Sequence, residues 1–157
     1  MSALITDDIA VFKAAVTPMC PLAGLDFGDK TIGVAISDRL HSVASPTDTI
    51  RRKKFTLDAE ALLKLLASRE VSGIVLGLPR NMDGTEGPRC QKTRAFARNL
   101  GQLTDLPITF WDERLSSVAA DRAMLEADMS RAKRAEKIDQ VAAGVILQGA
   151  LDRLRNL

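Results

Sequence analysis

The chain has 157 residues, 46% of them apolar and 27% charged, with a formal net charge of +2. That length supports one substantial core rather than two, the composition is that of a soluble globular protein, and the near-balanced charge announces no nucleic-acid partner by itself. No apolar run approaches the roughly 18 residues of a membrane span, the start MSALITDDIAVFKAAV has no basic-then-apolar leader, and the distant Cys20 and Cys90 read as free thiols of a cytoplasmic protein.

Residues 1–20 read as a flexible arm, irregular or loosely helical, set off by Thr17-Pro18 and Pro21. Residues 22–27 and 31–38 are strand runs around a Gly28-Asp29-Lys30 turn, which predicts a β-hairpin. A third strand near 43–50 is interrupted by Pro46. TLDAEALLKLLASRE predicts an amphipathic helix with Thr56 as cap and Leu62, Leu63, Leu65 and Leu66 on its buried side. SGIVLGLP has the continuous apolar character of a parallel-sheet strand, RNMDGTEG is a polar loop, and Pro88 opens a helix over 88–103. LPITFWDE is a further strand; Ser116 or Ser117 caps a helix to about 127, and a last helix spans 136–155. A hairpin followed by strand–helix alternation predicts an α/β domain with a mixed central sheet flanked by helices.

Three carboxylates stand out. Asp26 shares a strand face with Leu22 and Gly24, and the partner run offers a small-residue face of Gly33, Ala35 and Ser37, so a ligand has room beside it. The competing role is a turn aspartate that bonds backbone amides. In TFWDERLSS, Asp112 and Glu113 point to opposite faces at a strand end, where ligands of open α/β sheets gather, and the residues do not choose between them. Asp139 has Ala142, Ala143 and Ile146 at helical spacing, so it sits within an apolar stripe and needs a metal, a cation or a helix dipole as partner. Three carboxylates near one sheet edge suit a hard cation held by oxygen, and such a site could take two Mg²⁺ ions about 4 Å apart for in-line phosphoryl displacement.

Taken in order, GLDFGDKTIGVAISD, GIVLGLPRNMDGTEGP, WDERLSS and KIDQVAAGVIL resemble the motifs of the YqgF/RuvX family, over nearly everything from residue 22 onward. The family comprises Holliday-junction-resolvase-like proteins and nucleases of pre-16S rRNA with the ribonuclease H-like fold. The resemblance implies that 21–157 form one such domain and that Asp26, Glu113 and Asp139 are its catalytic metal ligands, with Asp26 bridging two Mg²⁺ or Mn²⁺ ions. It implies maturation of the 5′ end of pre-16S rRNA, or resolution of branched DNA, with a ribosomal or pre-ribosomal particle as a further partner and no membrane. Asp29 stands where the family pattern has Thr or Ser, adding negative charge near the site, and Arg80 stands where it has an apolar residue, adding a phosphate contact.

A nuclease needs cations for the phosphodiester backbone. Lys30 and Arg114 adjoin motif carboxylates, Arg80 and Arg89 flank the polar loop, and Arg131, Lys133, Arg134 and Lys137 lead into Asp139. The run Arg51-Arg52-Lys53-Lys54 reads as solvated surface, and Lys92, Arg94 and Arg98 share the helix of Arg89. Few aromatic rings lie near the motifs, which argues for recognition by shape and backbone. Two rival classes share these features: a nucleotide-binding domain using the hairpin as a phosphate cradle, and a non-catalytic nucleic-acid-binding module of ribosome assembly.

Overall fold

The computed structural model describes residues 2–115 and 131–157, with only the backbone of 131–136. Its elements are β1 (Ile5–Thr6), α1 (Ile9–Ala15), β2 (Leu22–Phe27), β3 (Thr31–Ser37), β4 (Ala44–Arg51), α2 (Phe55–Ser68), β5 (Gly73–Leu78), α3 (Pro88–Gly101), β6 (Ile108–Asp112) and α4 (Arg131–Arg155). One six-stranded sheet has the order β1-β6-β5-β2-β3-β4. β2, β3 and β4 run antiparallel in a meander, while β5, β6 and β1 continue from β2 in parallel. The helix expected from Ser116 or Ser117 lies outside the described residues.

Strand periodicity divides the core into two layers. Leu25, Ile32, Val34 and Leu76 point to α2 and α3, against Leu62, Leu66, Phe96 and Leu100. Leu22, Ala35 and Val75 point the other way, against α4 and Phe12 of α1. The apolar stripe of α4, with Ala142, Ala143, Ile146 and Ala150 all buried, therefore lies across the middle of the sheet. It comes close because the strands beneath lack side chains there. A Cβ at Gly33 would stand 2.5 Å from the carbonyl carbon of Asp139 and closer still to its oxygen; at Gly24 it would stand 2.8 Å from the Ala143 carbonyl oxygen.

Two local expectations are corrected. Residues 1–20 are not a flexible arm: β1 adds to the sheet through Ile5–Ile108 and Thr6–Thr109 pairing, Asp8 caps α1 by accepting from the Ala10 N–H at 2.9 Å, and Phe12 is fully buried. The signal was the spacing of Ile9, Phe12 and Val16, all of which pack on the α4 layer. Thr56 does not cap α2. The helix begins at Phe55, with Lys54 in the cap position, and buried Asp58 accepts from the Lys53 N–H at 2.9 Å instead.

The edge strand β4 forms despite Pro46, because its register against β3 shifts between Val34 and Ala35 and absorbs the missing donor. Gly33→Ala is expected to destabilise the fold by about 3 kcal/mol, since α4 must lift off β3; urea denaturation followed by circular dichroism measures it.

Candidate functional site

Asp26 ends the buried part of β2 and is only 6% exposed. Its register partner on β3 is Gly33, and extending the Leu25–Leu76 pairing by one step sets Gly77 of β5 on its other side. Each flanking glycine is covered by one of the other two expected carboxylates. The main chain of Asp139 lies over Gly33, and Glu113 Oε1 lies 3.0 Å from where a Gly77 Cβ would be. Folding thus brings Asp26, Glu113 and Asp139 to one face and one end of the sheet. Thr31, two residues before Gly33 on the same face, donates its hydroxyl to Asp139 Oδ2. Sequence reasoning missed Thr31, because its partner is 108 residues away; its only local signal is a hydroxyl on the small-residue face of the hairpin.

Asp112 is held apart from this arrangement. Arg114 donates from its backbone N–H at 3.0 Å, from Nε at 3.1 Å and from Nη2 at 2.7 Å. This pairing keeps the Asp112 carboxyl below the usual range and raises the Arg114 guanidinium above its own. Glu113, which begins a single 3₁₀ turn, is the acidic residue that turns toward Gly77. Oxygen donors of this kind suit a hard divalent cation. Among the described residues, however, no three His, Cys, Asp or Glu side chains stand close enough to hold one: the backbones converge, but the carboxylates do not close into a ligand cage.

The RuvX family profile, described as "Holliday junction resolvase", matches residues 21–153. The chain belongs to the RuvX family. Its relatives include proteins named "Putative pre-16S rRNA nuclease" from Ruegeria pomeroyi, 68% identical over 98% of this chain and 100% of the relative, and from Paracoccus denitrificans, 66% identical over 98% of each. Among solved structures, Thermus thermophilus RuvC in complex with a Holliday junction substrate superposes with a TM-score of 0.53 at 11% identity, covering 86% of this chain and 96% of that one. The yeast mitochondrial Holliday junction resolvase Ydc2 does so with a TM-score of 0.50 at 11% identity, covering 94% and 86%. The fold of this RuvX-family chain is ribonuclease H-like.

The expected cations divide by their partners. Lys30, Arg89 and Lys137 are exposed, whereas Arg114 is engaged by Asp112. Arg80 is half-buried, with Nη2 3.5 Å from Glu86. The side chains of Arg131, Lys133 and Arg134 lie outside the described ones; their backbone forms the first turns of α4.

Arg94, one of the cations on the helix of Arg89, is a structural group. It grips Glu86 through Nε at 2.6 Å and Nη2 at 2.7 Å, reaches Asp7 at 3.1 Å, and lies over the Phe110 ring at 4.7 Å. Arg52, read as solvated, donates to the Gly28 carbonyl at 2.7 Å and stacks on Phe27, bracing the β2–β3 turn.

The Arg94 hydrogen bonds hold Glu86 below the ordinary glutamate range. Ionised Glu86 therefore contributes stability above the ordinary value of about 4.3, and that contribution is lost as the pH falls through the lower folded-state value. Glu86→Gln is expected to lower the thermal midpoint at pH 7 by about 2–4 °C. In melts repeated at decreasing pH, the gap from wild type should shrink below that ordinary value.

Proposed function

We propose that this chain is a divalent-metal-dependent nuclease that hydrolyses phosphodiester bonds of structured nucleic acid and matures the 5′ end of pre-16S rRNA. The observation that carries the reading is the acidic constellation itself: a nearly buried Asp26 between two glycines, with Glu113 over one and Asp139 over the other. The names of relatives 68% and 66% identical supply the RNA substrate. Asp26, Glu113 and Asp139 are the residues that would hold the metal, as two Mg²⁺ or Mn²⁺ ions. Bound there, the metal supplies charge stabilisation at the phosphoryl oxygens and a more acidic water.

The chain's own groups do the rest. Thr31 fixes the Asp139 carboxylate by donating to it. The exposed Lys30, Arg89 and Lys137 offer phosphate contacts, and Asp26 itself is nearly shut off from solvent. The work belongs in the cytoplasm, on a pre-ribosomal particle; among the described residues no helix is long and apolar enough to cross a membrane. A second reading, cleavage of four-way DNA, is favoured by the family description.

Purified protein assayed on pre-16S RNA, single-stranded RNA and a four-way DNA junction separates these readings. Cleavage of the precursor is expected to vanish in EDTA and to return with Mg²⁺ or Mn²⁺. Asp26→Asn and Asp139→Asn should each reduce it by about 1,000-fold or more, while Asp112→Asn leaves most of it. Full cellular function of Asp26→Asn would instead establish a non-catalytic binding role.

A further inference from the structure

The basic run Arg51-Arg52-Lys53-Lys54 begins at the end of the sheet that carries the acidic constellation, and strand alternation divides it. Arg51 pairs with Thr31, and the preceding step pairs Ile50 with Ile32. Both isoleucines belong to the layer of α2 and α3. Arg51 therefore turns to the opposite face, the one on which Thr31 and Gly33 meet Asp139. Paired residues have Cα atoms about 4.5–5.5 Å apart and side chains on one face, so Arg51 stands beside the hydroxyl that holds Asp139. It is exposed and, among the described residues, makes no ion pair.

The rest of the run is anchored. Arg52 turns the other way, with its guanidinium 4.4 Å from the centre of the Phe27 ring. It donates to the Gly28 and Asp29 carbonyls at 2.7 and 3.2 Å, and its backbone N–H donates to the Lys30 carbonyl at 2.8 Å. The Lys53 N–H donates to Asp58 Oδ1 at 2.9 Å, so the exposed Lys53 and Lys54 follow a fixed course from β4 into α2. Solubility alone requires no such bracing.

The placement of charge names the partner. Lys30 on the turn, Arg51 on β4 and Lys137 on α4 are exposed around the acidic face, and none pairs with an acid among the described residues. Acids at the centre with free cations at the border suit a phosphodiester strand. The acids serve the reacting phosphate, and the phosphates next to it meet the cations.

We infer that Arg51, continued by Lys53 and Lys54, is a phosphate track that leads the nucleic-acid strand from the acidic face across β4, the outermost strand of the sheet. Arg51 takes the phosphate nearest the reacting one through the planar fork of its guanidinium, and the two lysines take those beyond as point charges. This rests on the nuclease reading and deepens it, by assigning the side of the molecule on which the substrate leaves the site. The track grips backbone and is indifferent to base sequence.

Salt dependence of binding counts such contacts, since each contributes roughly 0.7–0.9 to the slope of log affinity against log salt. The full chain in EDTA, where cleavage is absent, is titrated with a fluorescently labelled RNA hairpin at several KCl concentrations. Arg51→Gln is expected to weaken binding about tenfold and to lower the slope by about one contact. Lys53→Gln combined with Lys54→Gln should lower it by about two. Arg51→Lys keeps the charge and therefore the slope. Arg69→Gln removes an equal charge from an exposed position at the far end of α2, about 20 Å along that helix, and should leave the slope at the wild-type value. Arg51 is exposed, so its substitution leaves the circular dichroism spectrum unchanged.

A wild-type slope in Arg51→Gln overturns the proposal, and so does a loss no larger than that of Arg69→Gln, which reports diffuse attraction. Arg51→Lys losing as much slope as Arg51→Gln overturns it as well. Cleavage by a chain whose slope is untouched by these substitutions removes the track and leaves the nuclease reading standing. A chain with the expected slopes that cleaves neither RNA nor branched DNA in Mg²⁺ or Mn²⁺ keeps the track as a binding surface and ends the nuclease reading.

Discussion

Helix α4 meets the sheet main chain against main chain, and the geometry of the site follows from that contact. Gly24 and Gly33 remove the side chains that would hold the helix at ordinary helix-on-sheet distance. The space gained is filled by Ala142, Ala143 and Ile146. In consequence Asp139 is placed by backbone packing rather than by the rotamers of intervening residues, which is the more rigid way to fix a functional group. Gly77 plays the same part for Glu113 on the other side of Asp26. A carboxylate between two bare stretches of backbone is a poor use of core space for stability alone, and such local conflicts between packing and chemistry mark functional positions.

Electrostatics separates two kinds of acid around this site. Asp112 and Glu86 carry their own guanidinium partners, and both are held charged to lower pH by those bonds. Glu86 with Arg94, Asp7 and the Phe110 ring ties three distant segments together: the loop after β5, the start of the chain and the strand β6. Exposed ion pairs contribute little one at a time, but a partly buried network with a ring beneath it resists both solvent and salt better. Arg94 and Arg114, spent on these pairs, are unavailable to a phosphate backbone, whereas Lys30, Arg89 and Lys137 are exposed.

Much of this was legible before any coordinates. A charged residue inside an apolar helical stripe marked Asp139, and the two-residue period of a strand placed Asp26 on the same face as Gly33, which the register bears out. The choice between Asp112 and Glu113 could not be read locally, because strand alternation is lost where β6 runs into a 3₁₀ turn and the Arg114 pair forms only in that turn. Thr31 was hidden because its partner lies 108 residues away, and Arg94 because Glu86, eight residues before it, and Asp7, 87 residues away, meet it only once the loop after β5 and the start of the chain are folded together. Prolines 18 and 21 gave residues 1–20 the look of a detached arm, although the spacing of Ile9, Phe12 and Val16 already described a packed helix face.

The brevity of β1 has a consequence for colloidal behaviour. Two residues of pairing are enough to occupy the donors and acceptors of Ile108 and Thr109, the apolar stretch of β6 that would otherwise offer another chain a template for strand addition. The polar flank from Arg80 to Arg153 is left to guard the remainder by charge.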